Sequence, residues 1–498
     1  MYTFIFFIRV DAFYIDRAEC MQFFNFKGCF MGSGLEKTIH SDVKKYEQLK
    51  FALLTLAFCL VIGAYTIVKE LKDTIFVGIV GKSHIPEAKF LVVFFLIPAA
   101  LLYATLVDKI RRYQLLSFYC FLYGLILLFF TYLLGSPEHG LLNTVTSPWR
   151  IFGWIFFFVL EGFSPFVVGV FWAFANSVSD PAEAKSSYAT MVAGSKMGGM
   201  ATALFAWYMM SNLRDVWFFD FSDVVAHQVL LGLSAVLLLL VPLVIYILMK
   251  KVPGRYLHGY EVVYKQEKRN SKAGTANTGM LSGLQIMLES PYILGIFALV
   301  FFYESLNVVL SYQRICILET AAKGANGLVS LSHLTGSMFW QRFLMHFAGL
   351  VLSLFGVRVL LKRYGEKACL LLVPFLVALL LIYFMVVQTE DSITFVFIGL
   401  GSINYSFSQP LRESLYIPTM KDIKFKAKSW IDTFGTKISK AAGSSFVSVA
   451  KHAVPGTAGF YCIYTGFFTV LIAVWFLTAY LLGRRYEKAV ESNEIIMQ

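Results

Sequence analysis

Long apolar runs constrain the fold of this chain more than any other feature. A helix needs about 20 residues to cross the hydrocarbon core of a bilayer, and 58% of the 498 residues are hydrophobic. Such runs predict twelve membrane-spanning helices at approximately 50–69, 88–107, 114–134, 151–176, 187–210, 226–249, 291–313, 337–361, 367–388, 392–411, 429–452 and 457–482. Continuous rather than alternating hydrophobicity argues against a membrane β-barrel. We therefore predict an all-α integral membrane protein.

The basic residues between these runs predict the orientation of the chain. With the N-terminus inside, twenty-six loop Lys and Arg fall on the cytoplasmic side and nine, among them Lys89 and Arg314, on the outer side. This bias is typical of cytoplasmic loops, so both termini are predicted to be cytoplasmic. It also accounts for the net charge of +12, and we expect no nucleic-acid partner. The seven cysteines form no CxxC pair; they are interpreted as small apolar residues, and no metal or other cofactor is expected.

Polar segments divide the chain into two similar parts. We predict a cytoplasmic segment at 1–49, six-helix halves at 50–249 and 291–482, a cytoplasmic linker at 250–290 and a cytoplasmic tail at 483–498. Residues 1–30 are interpreted as an extension upstream of Met31 and are left out of the fold. An Ala-Lys-Ser sequence precedes span five (184–186) and recurs before span eleven (427–429). Parallel repeats of this kind build the major-facilitator architecture, in which the substrate site lies between the halves.

Basic residues inside predicted spans are the first candidates for function, because a charge in the membrane normally faces a protein interior or a water-filled path. Lys437 and Lys440 share one helix face in span eleven, and Lys196 lies within span five. All three are predicted to line a substrate path. Arg342 in span eight suits either a functional role or a position from which its side chain reaches the membrane surface.

Three acidic residues accompany these cations. Glu161 lies in span four, Glu304 in span seven and Asp432 one turn into span eleven. One alternative is that Glu161 or Glu304 neutralises a buried lysine with no ligand involved. However, the deep cations outnumber the deep acids, which favours an anionic solute as the missing partner. Glu304 and Asp432 are therefore predicted to serve in coupling or pairing.

A further charged group closes span one in the sequence YTIVKELKD, residues 65–73. Lys69 and Lys72 lie three residues apart and share a helix face with neighbouring acids, as in many self-paired helix ends. Because the outer loops are otherwise poor in cations, we predict that Lys72 binds the solute and that Lys69 contributes to pairing or coupling.

The sequence does not favour an enzyme. The segment Gly78–Ser83 resembles a phosphate-binding loop, but Phe76 stands where the pattern requires its first glycine, and no strand precedes a helix there. A membrane enzyme acting on a phosphorylated lipid is the alternative from another class. It would need a cluster of His or carboxylates at a membrane face, whereas His227, His333, His346 and His452 are scattered.

Four sequence runs resemble the nucleotide transporter family of plastids and obligate intracellular bacteria, the ATP/ADP translocases. They are residues 65–73, 171–199, 303–314 and 424–445. The resemblance implies a nucleotide carrier in the inner membrane of a bacterium, with roles in transport for Lys72, for Glu161 and for Lys440. In the last motif Ser439 stands where the family has glycine. The implied partners are the lipid bilayer and ATP, ADP or another nucleoside triphosphate.

One position departs from the family pattern. The family places a glutamate three residues after the asparagine that matches Asn307, and this chain has Leu310 there. The resemblance implies exchange of nucleoside triphosphate for diphosphate by alternating access. Because of Leu310, a proton-coupled importer of GTP, UTP or mixed nucleoside triphosphates stays open, with Glu161 or Glu304 as the acid that carries the proton.

Overall fold

The protein is almost entirely helical. The computed structural model describes residues 33–179, 181–211, 222–254, 257, 280–324, 329–355, 357–416, 418–419, 427–453, 456–492 and 496. Helices satisfy every backbone hydrogen bond within one segment, which is the requirement that the bilayer interior imposes. β-structure in the described residues is limited to two isolated bridges. The proposed upstream extension at 1–30 and most of the predicted linker lie outside the described residues.

The first half of the chain forms six helical segments. Their bounds are α1 Ser33–Ile79, α2 Ile85–Lys109, α3 Arg112–Leu134, α4 Ile151–Glu161 continued by α5 Gly169–Val178, α6 Pro181–Met210 and α7 Asp223–Lys251. A π-helical turn, Ser164–Val168, joins α4 to α5. Each segment coincides with one of the first six predicted spans.

The second half also forms six segments after a short helix, α8 Met280–Glu289, which occupies the end of the predicted linker. They are α9 Pro291–Ala321, α10 Leu331–Phe355, α11 Val357–Val387, α12 Glu390–Ile403 continued by α13 Gln409–Ser414, α14 Lys428–Trp430 continued by α15 Thr436–Ala450, and α16 Ala458–Glu491. π-helical turns at Asn404–Ser408 and Ile431–Gly435 join the two interrupted segments.

Seven of these segments are long and apolar enough, within the described residues, to be membrane spans on length and composition alone. The other segments include α6 and α15, which correspond to the predicted spans 187–210 and 429–452. These two spans are the least hydrophobic because they contain many small and charged residues. The twelve predicted spans are consistent with the helices, although several helices are longer than predicted. In particular, α1 continues to Ile79, so Lys69 and Lys72 lie inside the helix and not at its end.

Two helix pairs form the most extensive contacts between the halves, and α1 also packs against α10. Within the first half, α1 packs against α6 and α7; between the halves, α6 packs against α10, and α2 packs against α15. The repeat matches α2 to α10 and α6 to α15. The pair of α6 with α10 therefore corresponds to the pair of α15 with α2. This symmetry is the expected result of a parallel repeat, and it places the candidate residues of α1, α4 and α15 around one central space.

Small residues allow close helix packing next to the candidate site. A Cβ at Gly443 would lie 2.5 Å from the Ser305 carbonyl oxygen, and the Ser305 hydroxyl donates to the Ser439 carbonyl at 2.9 Å. Ser439 and Gly443 therefore form the face of α15 that packs on α9. Small residues at such contacts are typical of membrane helix pairs. Lys437 and Lys440 project from the other side of α15, toward α4.

Candidate functional site

Three lysines from both halves surround a single carboxylate at the centre of the bundle. The Lys72 ammonium lies 2.9 Å from Glu161 Oε2, and those of Lys437 and Lys440 lie 3.0 and 3.8 Å from Glu161 Oε1. We call these four residues the lysine cluster. The sequence analysis predicted all four as substrate-binding residues, and the structure brings them together.

Position and packing both explain why the lysine cluster forms. Glu161 is the last residue of α4, directly before the first π-turn, and π-turns frequently occur at functional sites. Lys72 also contacts Asp73 at 2.9 Å, and its ammonium lies 3.9 Å from the centre of the Phe157 ring. The aromatic face and the second carboxylate help to hold a charged lysine where it is largely shielded from water.

A cavity adjoins the lysine cluster. It contains about 810 Å³ of space between atoms, part of it open to solvent. The four cluster residues line it together with other polar and aromatic side chains from both halves: Tyr65, Lys69, Asp73, Lys89, Ser164, Asn307 and Ser311. Lys89 had been assigned to an outer loop in sequence, and that assignment is wrong because α2 begins at Ile85.

A second group of charges lies beside this cavity. Glu70 of α1 accepts hydrogen bonds from Arg314 of α9 at 3.0 Å and from Arg342 Nε of α10 at 2.7 Å; Arg342 Nη2 also contacts Glu70. We call these three residues the arginine triad. Both arginines line a smaller cavity of about 470 Å³, which shares Lys69, Asp73, Asn307 and Ser311 with the larger one. The two cavities are therefore lobes of one space.

The arginine triad shows that the side chains of Arg342 and Arg314 both lie inside the protein. Arg342 is 6% exposed and points into the protein, so the interpretation that it reaches the membrane surface is wrong. Arg314 had been counted among the outer-loop cations, but it is 3% exposed because α9 continues to Ala321. Glu70 and Arg314 were not predicted as site residues. The sequence signal that could have identified Glu70 is the charged run at residues 65–73. The helical periodicity of span one continues through this run.

Other predicted site residues lie in different places. Lys69 lines both lobes, 5.7 Å from the centre of the Tyr65 ring. Glu304 lies on α9, three residues before Asn307, and does not line either lobe. Lys196 donates to the Gly349 carbonyl at 3.5 Å, on the contact between α6 and α10, and does not line either lobe. Asp432 belongs to the third π-turn and is exposed. The structure thus brings neither Lys196 nor Asp432 into the lysine cluster.

The charges around the two lobes do not balance. Among the described residues that line the lobes, seven are cationic: Lys69, Lys72, Lys89, Arg314, Arg342, Lys437 and Lys440. Two carboxylates, Asp73 and Glu161, line the same lobes, and a third, Glu70, pairs with both arginines. Cations thus exceed acids. Since unpaired charge away from bulk water is costly, the space favours a solute that carries several negative charges.

The halves are also joined at the end of the bundle opposite the termini. Lys82, after α1, lies 2.5 Å from Glu319 near the end of α9. Lys451, after α15, pairs with Glu87 in the first turn of α2 and donates to the Ser83 carbonyl at 3.2 Å. We call Lys82–Glu319 and Lys451–Glu87 the rim pairs. Each joins one residue of the first half to one of the second, so the rim pairs hold the halves together at this end.

Comparison with solved structures confirms the predicted major-facilitator-like fold. A D-xylose-proton symporter superposes with a TM-score of 0.56 at 12% sequence identity, covering 89% of this chain and 97% of that one. A bacterial homolog of the human lysosomal transporter Spinster, in an inward-facing and unoccupied conformation, gives a TM-score of 0.54 at 11% identity, with 89% and 98% covered. At these identities the likeness concerns the fold alone.

Sequence comparison identifies the family. ADP,ATP carrier protein 4 of Rickettsia conorii is 23% identical to this chain, with 91% of this chain and 94% of the relative covered. ADP,ATP carrier protein 1 of Rickettsia prowazekii is 20% identical, with 91% and 96% covered. The family model described as TLC ATP/ADP transporter matches residues 33–402, well over half of the chain. This protein therefore belongs to the TLC ATP/ADP transporter family, whose members are carriers and not enzymes.

Proposed function

We propose that this protein exchanges nucleoside triphosphate for nucleoside diphosphate, of the ATP/ADP type, across the inner membrane of a bacterium. The observation that carries the proposal is the lysine cluster, in which cations of both halves converge on one carboxylate beside a polar cavity. The family and the relatives named ADP,ATP carrier protein support adenine nucleotides as substrates.

Phosphate groups suit the chemistry of the larger lobe. Lysine ammonium groups donate charge-assisted hydrogen bonds to phosphate oxygens, and Lys72, Lys437 and Lys440 come from α1 and α15, on opposite sides of the space. Lys89 adds a fourth ammonium to the same wall. A bound nucleotide would take over part of the role of Glu161 as the common acceptor. Tyr65 in the larger lobe is an aromatic side chain that can stack against a base.

Alternating access follows from the division into halves. The rim pairs close the end that is predicted to face outward, and a nucleotide enters from the cytoplasmic side in this conformation. Rocking of one half against the other then exposes the same lobes to the outside. An empty carrier would carry its excess positive charge through that movement without a partner. This cost favours exchange over net transport.

Proton-coupled import of nucleoside triphosphates is the second candidate. The observation that favours it is Leu310, which stands where the family has a glutamate, while Glu304 lies nearly two turns earlier on the same helix. In this version Glu304 replaces the missing acid and carries a proton with the nucleotide.

The test of both candidates is an uptake panel. The full chain is expressed in a bacterium that does not take up nucleotides, and labelled ATP, ADP, GTP and UTP are supplied. We expect uptake of ATP and ADP that is stimulated by internal ADP and is insensitive to an uncoupler. Loss of uptake on adding the uncoupler would support proton coupling. If an inserted protein transported none of the four, the proposed function would be wrong.

A further inference from the structure

The arginine triad differs from an ordinary structural ion pair because it joins the two halves. Glu70 belongs to α1 of the first half, whereas Arg314 and Arg342 belong to α9 and α10 of the second. The three side chains are 1%, 3% and 6% exposed. Any movement that separates α1 from α9 and α10 therefore leaves three buried charges without their partners.

The triad is held in place by neighbouring polar groups of the second half. Arg314 Nε donates to the Gln341 side chain at 2.6 Å, and Arg314 Nη2 donates to the Met338 carbonyl at 2.9 Å. The Phe397 ring centre lies 3.8 Å from the Arg314 guanidinium carbon and 5.1 Å from that of Arg342. The guanidinium groups are thus fixed by their own half, and Glu70 is the group that reaches them from the other.

The triad also lies between the substrate space and the rim. Arg314 is five residues before Glu319 on α9, which corresponds to about 7.5 Å along the helix. Both arginines line the smaller lobe, which is continuous with the lysine cavity. An anion in that lobe is therefore adjacent to the same guanidinium groups that Glu70 occupies.

We infer that Glu70 is a tethered substitute for substrate phosphate, and that it couples opening of the rim to loading of the cavity. This inference rests on the proposed function. In the empty carrier Glu70 neutralises Arg314 and Arg342, and the rim stays closed because parting the halves would strand these charges. A phosphate group in the smaller lobe gives the two arginines another acceptor, so that Glu70 can leave with α1 when the halves rock. The carrier then opens outward when loaded and seldom when empty.

The direct test compares leak with exchange in Glu70→Gln. Proteoliposomes that contain the full-length carrier are loaded with labelled ADP, and release of label is followed with and without external ADP. In the unsubstituted protein we expect release that depends on external ADP. In Glu70→Gln we expect the ratio of release without external ADP to release with it to rise by about tenfold, within the range of measured couplings between sites. Glu70→Asp retains the carboxylate and is expected to restore a low ratio.

Two further variants separate the triad from general effects. Glu319→Gln removes an inter-half pair at the rim, where Lys82 is 33% exposed, and is expected to change the ratio much less than Glu70→Gln. The double variant Glu70→Gln/Arg342→Gln restores the net charge of the triad without the tie between halves. It is expected to leak like Glu70→Gln, which would exclude excess charge as the cause.

A measurement that does not depend on transport uses Cys316, which is half-buried on α9 between Arg314 and Glu319. Its labelling by a membrane-impermeant maleimide in nanodiscs without nucleotide, read by mass spectrometry, is expected to be about tenfold faster in Glu70→Gln. Complete labelling of Cys316 in the same protein after unfolding in detergent serves as the reference.

The outcomes distinguish this inference from the proposed function. If the unsubstituted protein exchanges nucleotides but Glu70→Gln keeps a low leak ratio and slow Cys316 labelling, the inference is wrong and the proposed function stands. If the unsubstituted protein transports no nucleotide, the proposed function fails. If Glu70→Gln does not transport, its Cys316 labelling decides.

Discussion

The lysine cluster and the arginine triad have the same plan and different surroundings. In each, one carboxylate of the first half meets two cations of the second: Glu161 meets Lys437 and Lys440, and Glu70 meets Arg314 and Arg342. The lysine cluster lines the larger lobe, and the Lys440 side chain is 33% exposed. The triad is almost fully buried and has further fixed acceptors.

This difference in surroundings suits the two carboxylate sites to different roles, because their cations differ in chemistry. Lysine ammonium groups are flexible point charges that can exchange one acceptor for another, whereas guanidinium groups are planar and hold carboxylates in a fixed geometry. The lysine cluster is therefore suited to bind and release a solute. The triad is suited to hold the two halves together until an anion replaces its carboxylate. Three experiments test this contrast.

The largest expected effect comes from removing a lysine of the cluster. Lys440→Ala is expected to lower ADP exchange about thirtyfold, equivalent to about 2 kcal/mol, because it removes one of the ammonium groups proposed to hold the phosphates, and a hydrogen bond to a charged group contributes about 1.5–3 kcal/mol. Exchange is measured in proteoliposomes at matched amounts of inserted protein. Lys488→Ala, at an exposed lysine in the last turn of α16, is the control and should exchange normally. Normal exchange by Lys440→Ala would remove it from the site.

The second test compares the stability of the two carboxylate sites. Glu70→Ala leaves two buried guanidinium groups without their carboxylate, and breaking a buried pair in this way costs about 3–5 kcal/mol. Glu161→Ala is expected to cost less, since Lys72 keeps its contact with Asp73 and water can enter the cavity. The measurement is thermal unfolding of the purified carriers in nanodiscs without nucleotide. Equal losses in the two variants would contradict the contrast.

The smallest effect is expected at the rim. Glu319→Gln removes an ion pair whose lysine is 33% exposed, and pairs accessible to water contribute only about 0–1 kcal/mol. Unfolding temperature and ADP exchange should both stay close to those of the unsubstituted protein. A loss of stability comparable to that of Glu70→Ala would show that the rim, and not the triad, holds the halves together.

Sequence reasoning located the helices and the lysine cluster, but it missed the arginine triad. Apolar runs and their flanking charges were sufficient for the spans, because the bilayer requires them. Arg314 was assigned to a loop because a rule based on hydrocarbon thickness ends each span after about 20 residues. Here α9 continues to Ala321, past that length, and Arg314 pairs with Glu70 of the other half. The pairing of Glu70 with residues 244 and 272 positions away depends on tertiary structure, and no local pattern contains it.

For Lys196 and Asp432, by contrast, the sequence predicted site residues that the structure does not bring into the lysine cluster. Lys196 and Asp432 have the residue types expected of a site, and their spans were located correctly, yet Lys196 lies on an inter-half contact and Asp432 is exposed. The direction of a side chain depends on helix rotation, and the π-turns alter that rotation in ways that simple helical periodicity does not include.

The π-turn Ile431–Gly435 makes this site sensitive to insertion or deletion of residues. It precedes Lys437 by one turn or less, and each residue of a helix adds about 100° of rotation. Deleting a single residue there would swing both lysines away from Glu161 while leaving every remaining side chain chemically intact. The geometry of the cavity is thus encoded in a residue count as much as in residue identity, and an insertion or deletion at this position is more damaging than most substitutions.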